Sequence, residues 1–352
     1  MALPPSWTVV SAAVIGATAL VGLAAQGQTT AEPGITTVTG IRVGQAEMPG
    51  RPTGCTVVLA PPNTVGAVDV RGGAPGTRET DVLAPDNTVS IVNAIVLSGG
   101  SAYGLDSATG VVKYLAEHGV GYRVGSNVVP IVPAAILYDL DVGGHPEIRP
   151  DATCGYRAAS SASPGPVAEG SVGAGAGATV GKSAGPARAM KGGLGTAALR
   201  GAGGLVVGAI VAVNAVGTVI DPRTGHAVAG VRTPDGKALA DPFALIRGGG
   251  STLSSSLANT TIGVVATNAR LTKGTALRVA EMAHDGLARA IVPSHTPSDG
   301  DTLFVLATGE LTPDATVGAV GALAAEAVSD AILRAVRLAK GLPGLPAASD
   351  IK

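Results

Sequence analysis

The stretch Ser254-Ser255-Ser256-Leu257-Ala258-Asn259-Thr260-Thr261-Ile262-Gly263-Val264-Val265-Ala266-Thr267-Asn268 joins two textures. Upstream, Gly248-Gly249-Gly250-Ser251 opens a polar Gly/Ser tract, and downstream a β-branched, apolar run reads as a buried strand. The junction is Asn259-Thr260. A hydroxyl residue at the head of a core strand, fed by a loop that can be cut, is the layout of a self-activating hydrolase. Cutting before Thr260 frees an α-amine, with a reference pKa of about 8, that can take the proton of the same residue's hydroxyl. Two plainer readings stand beside this one. Asn259-Thr260-Thr261 spells an N-glycosylation sequon, which needs an exposed loop. Threonines also favour strands, so the pair can simply begin one.

With 352 residues the chain can bury a full core, and we read it as one large domain. A formal net charge of −1 and a charged fraction of 14% leave no basic footprint for nucleic acid. Aromatics make up 2% while glycine occurs 52 times, which predicts closely apposed layers of small residues and no stacking surface for bases. Cys55 and Cys154 lie far apart without Cys/His spacing, so neither a disulfide framework nor a zinc site is signalled. We expect two ordinary thiols, although a single bridge is compatible with the sequence. Nothing in the chain asks for a cofactor or a metal.

Residues 8–25 form an uncharged apolar run, long enough for a short membrane span or the core of an export signal. No Lys or Arg precedes it, so the positive leader of a signal peptide is missing, and a misassigned start codon is a third reading. Residues 1–33 are therefore set apart as an anchor or uncleaved signal plus linker. They would tether the protein to a membrane or mark it for export, with a cytoplasmic location as the alternative.

From Ile35 onward, short β-rich runs predict strands over 36–43, 55–59, 64–70 and 91–97. The turn-rich loop from Arg71 to Asp81 either lines a site or merely connects, and its two arginines and two acids could pair with one another. Ser98-Gly99-Gly100 leads into a helix through Glu117; such a glycine pair can cradle an anion, but more often permits a tight strand-to-helix turn. Tyr138 sits beside Asp139, and reads as a core tyrosine with its hydroxyl satisfied. Ala176 to Ser183 nearly spells a phosphate-binding loop, yet Gly185-Pro186 and Gly192-Gly193 break the helix such a loop requires. Lys182 remains a lone cation in uncharged surroundings, where a desolvated lysine can hold a low pKa or stabilise an oxyanion.

The run from Gly204 to Ile220 predicts a hairpin turning near Asn214 to Gly217. Asn214 is then a turn residue, with an oxyanion donor as the alternative. Thr272 to Ala290 reads as an amphipathic helix with Leu277, Ala280, Met282, Ala283 and Leu287 on its apolar side, and with His284 structural. In Asp299-Gly300-Asp301 two carboxylates at a strand entrance can aim at one centre, their repulsion raising one pKa, or can form a turn facing water. An Ala-rich helix from Gly318 to Lys340 closes the chain.

Several segments, in order, resemble the self-processing aminopeptidase/amidase family that includes D-stereospecific aminopeptidases, β-peptidyl aminopeptidases and nylon-oligomer hydrolases. They are GGAPGTRETD at Gly72 to Asp81, LSGGSAYGLD at Leu97 to Asp106, VPIVPAAILYDL at Val129 to Leu140, GATVGK at Gly177 to Lys182, MKGGLGTA at Met190 to Ala197, AVNAVGTVIDP at Ala212 to Pro222, NTTIGVVATNA at Asn259 to Ala269, and AHDGLARAI with HTPSDGDTLFVLATG at Ala283 to Gly309. The resemblance implies an α+β fold, a four-layer αββα sandwich of N-terminal-nucleophile type with its own connectivity. It also implies self-cleavage of the domain 34–352 into an α chain, 34–259, and a β chain, 260–352. By the same resemblance Thr260 is the nucleophile, Lys182 and Asn214 support it and the oxyanion, Asp299 and Asp301 orient it, and Tyr138 belongs to the site. The expected activity is hydrolysis of short peptides or peptide-like amides, by an aminopeptidase acting as a homo-oligomer of cut protomers. An endo-acting amidase on linear amide oligomers, or a non-catalytic binding module of the same fold, is the alternative. The apolar run at 8–25 has no counterpart in the family pattern.

Overall fold

The computed structural model describes residues 1–2, 33–249 and 259–351. The chain divides after Ala31, and the fold lies in Glu32–Lys352. The apolar run at 8–25 is outside the described residues. Among the described residues, no helix is long and apolar enough to cross a membrane.

Two five-stranded sheets carry the architecture. Their strands, in chain order, are β1 (Arg42–Glu47), β2 (Gly54–Leu59), β3 (Val65–Val70), β4 (Thr77–Arg78), β5 (Ala94–Ser98), β6 (Ala134–Ile136), β7 (Gly193–Arg200), β8 (Val206–Asn214), β9 (Thr260–Thr267) and β10 (Thr302–Ala307). The first sheet runs β1-β2-β5-β6-β4 and the second β7-β8-β9-β10-β3. Every residue of β8 and of β9 is buried, so neither strand alternates. That pattern requires cover on both faces. Ile95, Leu97 and Leu137 of the first sheet and its edge meet Ile210, Ile262 and Phe304 of the second in one core between the sheets. Helices α1 (Ser107–Glu117) and α2 (Ala152–Ser160) cover the outer face of the first sheet, and α3 (Lys273–Ala290) with α4 (Val317–Arg337) cover that of the second. The result is the four-layer αββα sandwich.

Scarce aromatics leave small residues to set the layer spacing. At Gly286 of α3 a Cβ would lie 1.9 Å from the Ala325 carbonyl of α4, so the two helices meet backbone to backbone. Both helices start where side-chain caps satisfy their first N–H groups. Thr272 forms a reciprocal capping box with Thr275, and Thr316 accepts from the Ala319 N–H.

Three expectations are corrected. The segment predicted as a strand over 36–43 opens with a 3-10 turn, Ile35–Thr37, and pairs only from Arg42. The predicted hairpin is absent: β8 pairs with β7 and β9, whereas Thr218–Ile220 leaves to join Ala227–Ala229 and Ile291–Val292 in a separate small sheet. Cys55 and Cys154 are a disulfide rather than two thiols, because α2 lies over β2 and brings their Cα atoms to 6.3 Å across a separation of 99 residues. The Gly99-Gly100 pair makes the tight strand-to-helix turn expected of it, with Gly100 at a left-handed φ of +84°, and the Asp139 carboxylate accepts the Gly100 N–H at 2.9 Å.

Candidate active site

Strand polarity assembles the site. β8 and β9 are antiparallel with Asn214 opposite Thr260, so the end of one meets the start of the other. β10 runs parallel to β9, which sets the segment feeding it, Ser298 to Asp301, alongside the Asn259-Thr260 junction. Asn259 and Asp299 form a parallel bridge there. Residues that are 85 positions apart in sequence, as Asn214 and Asp299 are, thus converge at one end of the second sheet.

The junction itself is buried, with Asn259 1% and Thr260 4% exposed, which closes the sequon reading. The Asn259 carbonyl accepts the Gly300 N–H at 3.0 Å and also the Thr260 hydroxyl. Gly300 has no room for a side chain, since a Cβ would stand 2.7 Å from Thr260 Oγ1 and 2.9 Å from the Ala74 carbonyl. The loop after β3 backs this segment. Arg71 and Gly72 N–H groups donate to the Asp301 carbonyl at 3.0 and 3.2 Å, and Ala74 donates to the Asp299 carbonyl at 2.8 Å. Its charged residues do not pair among themselves: Arg71 binds Asp69 on β3 at 2.7 Å, and Glu79 accepts the Val132 N–H at 2.9 Å.

Asn214 is fully buried at the strand end and is not a turn residue. Its Oδ1 accepts from the Thr179 N–H at 2.9 Å and from Lys182 Nζ at 3.0 Å, while its Nδ2 donates to the Tyr138 carbonyl at 3.0 Å. Lys182 Nζ donates to the Asn214 carbonyl as well, also at 3.0 Å. Burial drives the Lys182 pKa down to about 7 against the pull of Asp299, Asp141, Asp139 and Asp301. Asp299 is pushed up to about 6, by burial first and then by the Asp301 charge, against the Thr296 hydrogen bonds and Lys182. A lysine and a carboxylic acid both brought close to neutrality suit proton transfer. Asp301 Oδ1 accepts the Thr261 N–H at 2.7 Å.

Tyr138 turns its hydroxyl to Asp141 at 3.1 Å, and burial followed by that carboxylate raises its pKa, so at neutral pH it is a hydrogen donor. Tyr138, Asp141, Thr179 and Lys182 line a cavity of about 640 Å³ together with apolar residues that include Leu342 and Leu345. The loop that carries Asp141 is fixed by a fully buried ion pair. Arg51 reaches Asp139 Oδ1 at 2.5 Å and the Ile148 carbonyl at 2.6 Å, and Thr53 completes the carboxylate's partners at 2.6 Å.

Lys191 serves the site from outside it. Its buried ammonium donates to the Gly175, Ala178 and Gly192 carbonyls at 2.8, 2.9 and 3.0 Å, fastening the loop that presents Thr179 to Asn214. Replacing Lys191 by methionine keeps the apolar stem but removes three hydrogen bonds from a cationic donor, at about 1.5–3 kcal/mol each, although the Gly175 and Ala178 carbonyls retain the Ala178 and Gly192 N–H groups. We expect a loss of about 3 kcal/mol or more, read as a fall in the urea midpoint at unchanged slope. An unmoved midpoint would show that the tripod does not hold the loop.

The fold is a layered α+β sandwich of N-terminal-nucleophile hydrolase type. The structure of L-aminopeptidase D-Ala-esterase/amidase from Ochrobactrum anthropi, a variant of that hydrolase fold, matches with a TM-score of 0.65 at 20% identity over 90% of this chain and 92% of that one. The model of Peptidase family S58 matches residues 34–348, and the chain belongs to that family of peptidases. An uncharacterized aminopeptidase of Mycobacterium tuberculosis is 46% identical over 351 residues, covering 90% of this chain and 97% of the relative. A 6-aminohexanoate-oligomer endohydrolase of Kocuria sp. is 33% identical over 319 residues, covering 85% of this chain and 84% of the relative.

Each of the site residues named from sequence, Thr260, Asn259, Lys182, Asn214, Asp299, Asp301 and Tyr138, falls in this one neighbourhood, with Tyr138 engaged through its carbonyl and its contact to Asp141. Sequence reading missed Thr179, Asp141, His295 and the Arg51–Asp139 pair. Only the sequence neighbourhoods of Asp141 and His295, next to Tyr138 and Asp299, carried any signal.

Proposed function

We propose that the protein cuts its own Asn259–Thr260 bond and then uses Thr260 as nucleophile to hydrolyse short peptides or peptide-like amides with a free amino end. The observation that carries this reading is the contact of the Thr260 hydroxyl and the Gly300 N–H with the same Asn259 carbonyl oxygen. In self-cleavage Thr260 Oγ bonds to the Asn259 carbonyl carbon and the peptide C–N bond breaks. The hydroxyl proton passes to the leaving nitrogen, and water hydrolyses the resulting ester to leave a carboxyl on Asn259 and a free α-amine on Thr260. Gly300 N–H is placed to hold the oxyanion of that step.

In turnover the α-amine accepts the Thr260 hydroxyl proton as Oγ attacks the substrate carbonyl, and it returns the proton to the departing amine. Lys182 and Asn214 stabilise the tetrahedral oxyanion, and Asp299 with Asp301 orients the nucleophile. Asp141, an exposed carboxylate on the cavity wall, fits a substrate ammonium, while Leu342 and Leu345 of the same cavity fit an aliphatic side chain. The likeness to an oligomer endohydrolase supports endo cleavage of linear amides as the second reading.

Intact mass under denaturing conditions tests the first step, with two fragments meeting at Asn259/Thr260 as the expected result. Turnover of a short aliphatic amide with its amine free, beside the N-acetylated compound, tests the second. We expect at least a tenfold preference for the free amine, about the worth of one charge-assisted contact. A single full-length mass together with no hydrolysis would sink the reading. Equal rates on both substrates would favour the endo-acting alternative.

A further inference from the structure

Two histidines stand behind the acid pair, and the chemistry above uses neither. His295 adopts a left-handed φ of +54°, uncommon outside glycine. That backbone aims both its own N–H and its ring Nδ1 at one oxygen, Asp301 Oδ2, at 3.0 and 2.9 Å. The other oxygen of the same carboxylate holds the N–H of Thr261, the residue after the nucleophile. His284, from α3, packs edge to face on His295 with ring centroids 4.8 Å apart. It is anchored in turn through Nε2 to the Asp69 carbonyl of β3 at 3.0 Å.

Ring chemistry follows from the partners. His284 Nε2 faces a carbonyl and His295 Nδ1 faces a carboxylate, so both of these nitrogens carry hydrogen. The remaining nitrogens, His284 Nδ1 and His295 Nε2, are buried without a hydrogen-bond partner among the described residues. Packing alone does not explain such a pair, because apolar side chains would fill the space without two orphaned polar atoms. What an apolar side chain cannot supply is the Nδ1–H on Asp301. The titratable and charged groups around His295 are Asp301 and Asp299 from the segment entering β10, His284 from α3, and beyond it Asp69 with its partner Arg71.

We propose that His295, braced by His284, is a positioning residue that locks the Asp301 carboxylate onto the Thr261 N–H and thereby sets Thr260 for attack. This rests on the reading of Thr260 as the nucleophile. Without that donor the carboxylate can swing off the Thr261 N–H, so the rate falls when the ring is lost and returns when another side-chain donor takes its place.

The test compares His295→Gly with His295→Asn in the cut enzyme. Both residues accept the left-handed backbone and keep its N–H, but only asparagine offers a side-chain N–H donor. For His295→Gly we expect kcat/KM to fall about 10- to 100-fold, the worth of one charge-assisted hydrogen bond. His295→Asn should recover most of that loss. A glycine variant with the wild-type rate overturns the proposal, as does an asparagine variant equally impaired. Should the glycine variant fail to fold, the asparagine variant decides alone: a rate within about threefold of wild type supports the donor role, and a loss beyond tenfold overturns it. An unsubstituted protein that neither cuts itself nor turns over defeats the Thr260 reading itself, and this proposal with it.

Discussion

Thr260→Ala is expected to remain one chain of 352 residues and to hydrolyse nothing, while Thr260→Ser is cut and active. Alanine removes the only atom of residue 260 that can attack the Asn259 carbonyl, and that oxygen already contacts this carbonyl in the folded chain. Serine keeps the hydroxyl and loses only the methyl group, so its cost is one of placement, about 10- to 100-fold in rate. Denaturing intact mass and amide turnover on the three proteins read both steps. Fragments from Thr260→Ala identical to those of the unsubstituted protein would mean that an outside protease makes the cut, and would remove the self-activation mechanism.

The second large effect is expected at a residue with no functional group. Gly300 lies between the two acids, and a Cβ there would sit 2.7 Å from Thr260 Oγ1, 3.2 Å from Thr260 Cγ2 and 2.9 Å from the Ala74 carbonyl. The Ala74 side cannot yield cheaply, because its own N–H is tied to the Asp299 carbonyl at 2.8 Å. Gly300→Ala must therefore turn the Thr260 hydroxyl away or withdraw the Gly300 N–H from the Asn259 carbonyl. We expect self-cleavage to slow by about 100-fold or more, the usual cost of losing an oxyanion donor. The time course of fragment appearance on freshly made chain measures it, beside thermal unfolding to show that the variant is folded. Cutting at the wild-type rate would show that neither the hydroxyl rotamer nor that N–H matters.

How much of this was legible in sequence depended on whether the cause was local. β9 was readable because eight successive buried residues leave an unbroken β-branched run, and α3 and α4 because their apolar positions recur at helical spacing. The acid pair was readable as a candidate because one glycine separates two carboxylates at a strand entrance. Asn214 misled because Ala215-Val216-Gly217 looks like a turn, while the true cause, pairing with β9 and with Lys182, lies in other segments. The Cys55–Cys154 bridge was invisible for the same reason: only the packing of α2 over β2 brings the sulfurs together. Beyond its nearness to Asp299, His295 gave no sign of its conformation, since its left-handed backbone goes with contacts to Asp301 rather than with a glycine or asparagine at that position. The family resemblance supplied the roles that spacing could not.

The strand order of the second sheet has a consequence for what becomes of a broken chain. β9 and β10 follow the Asn259-Thr260 bond, but on one side they are zipped to β8 and on the other to β3, both of which precede it. The later piece is clasped between two rails of the earlier one, each a ladder of backbone hydrogen bonds. Its helices α3 and α4 share a core with β8, so pulling it free would open that core to water. Breaking one covalent bond thus converts a single polypeptide into an interlocked pair that can part only by unfolding. Under the proposed mechanism Thr260 would gain a free end without gaining freedom to leave.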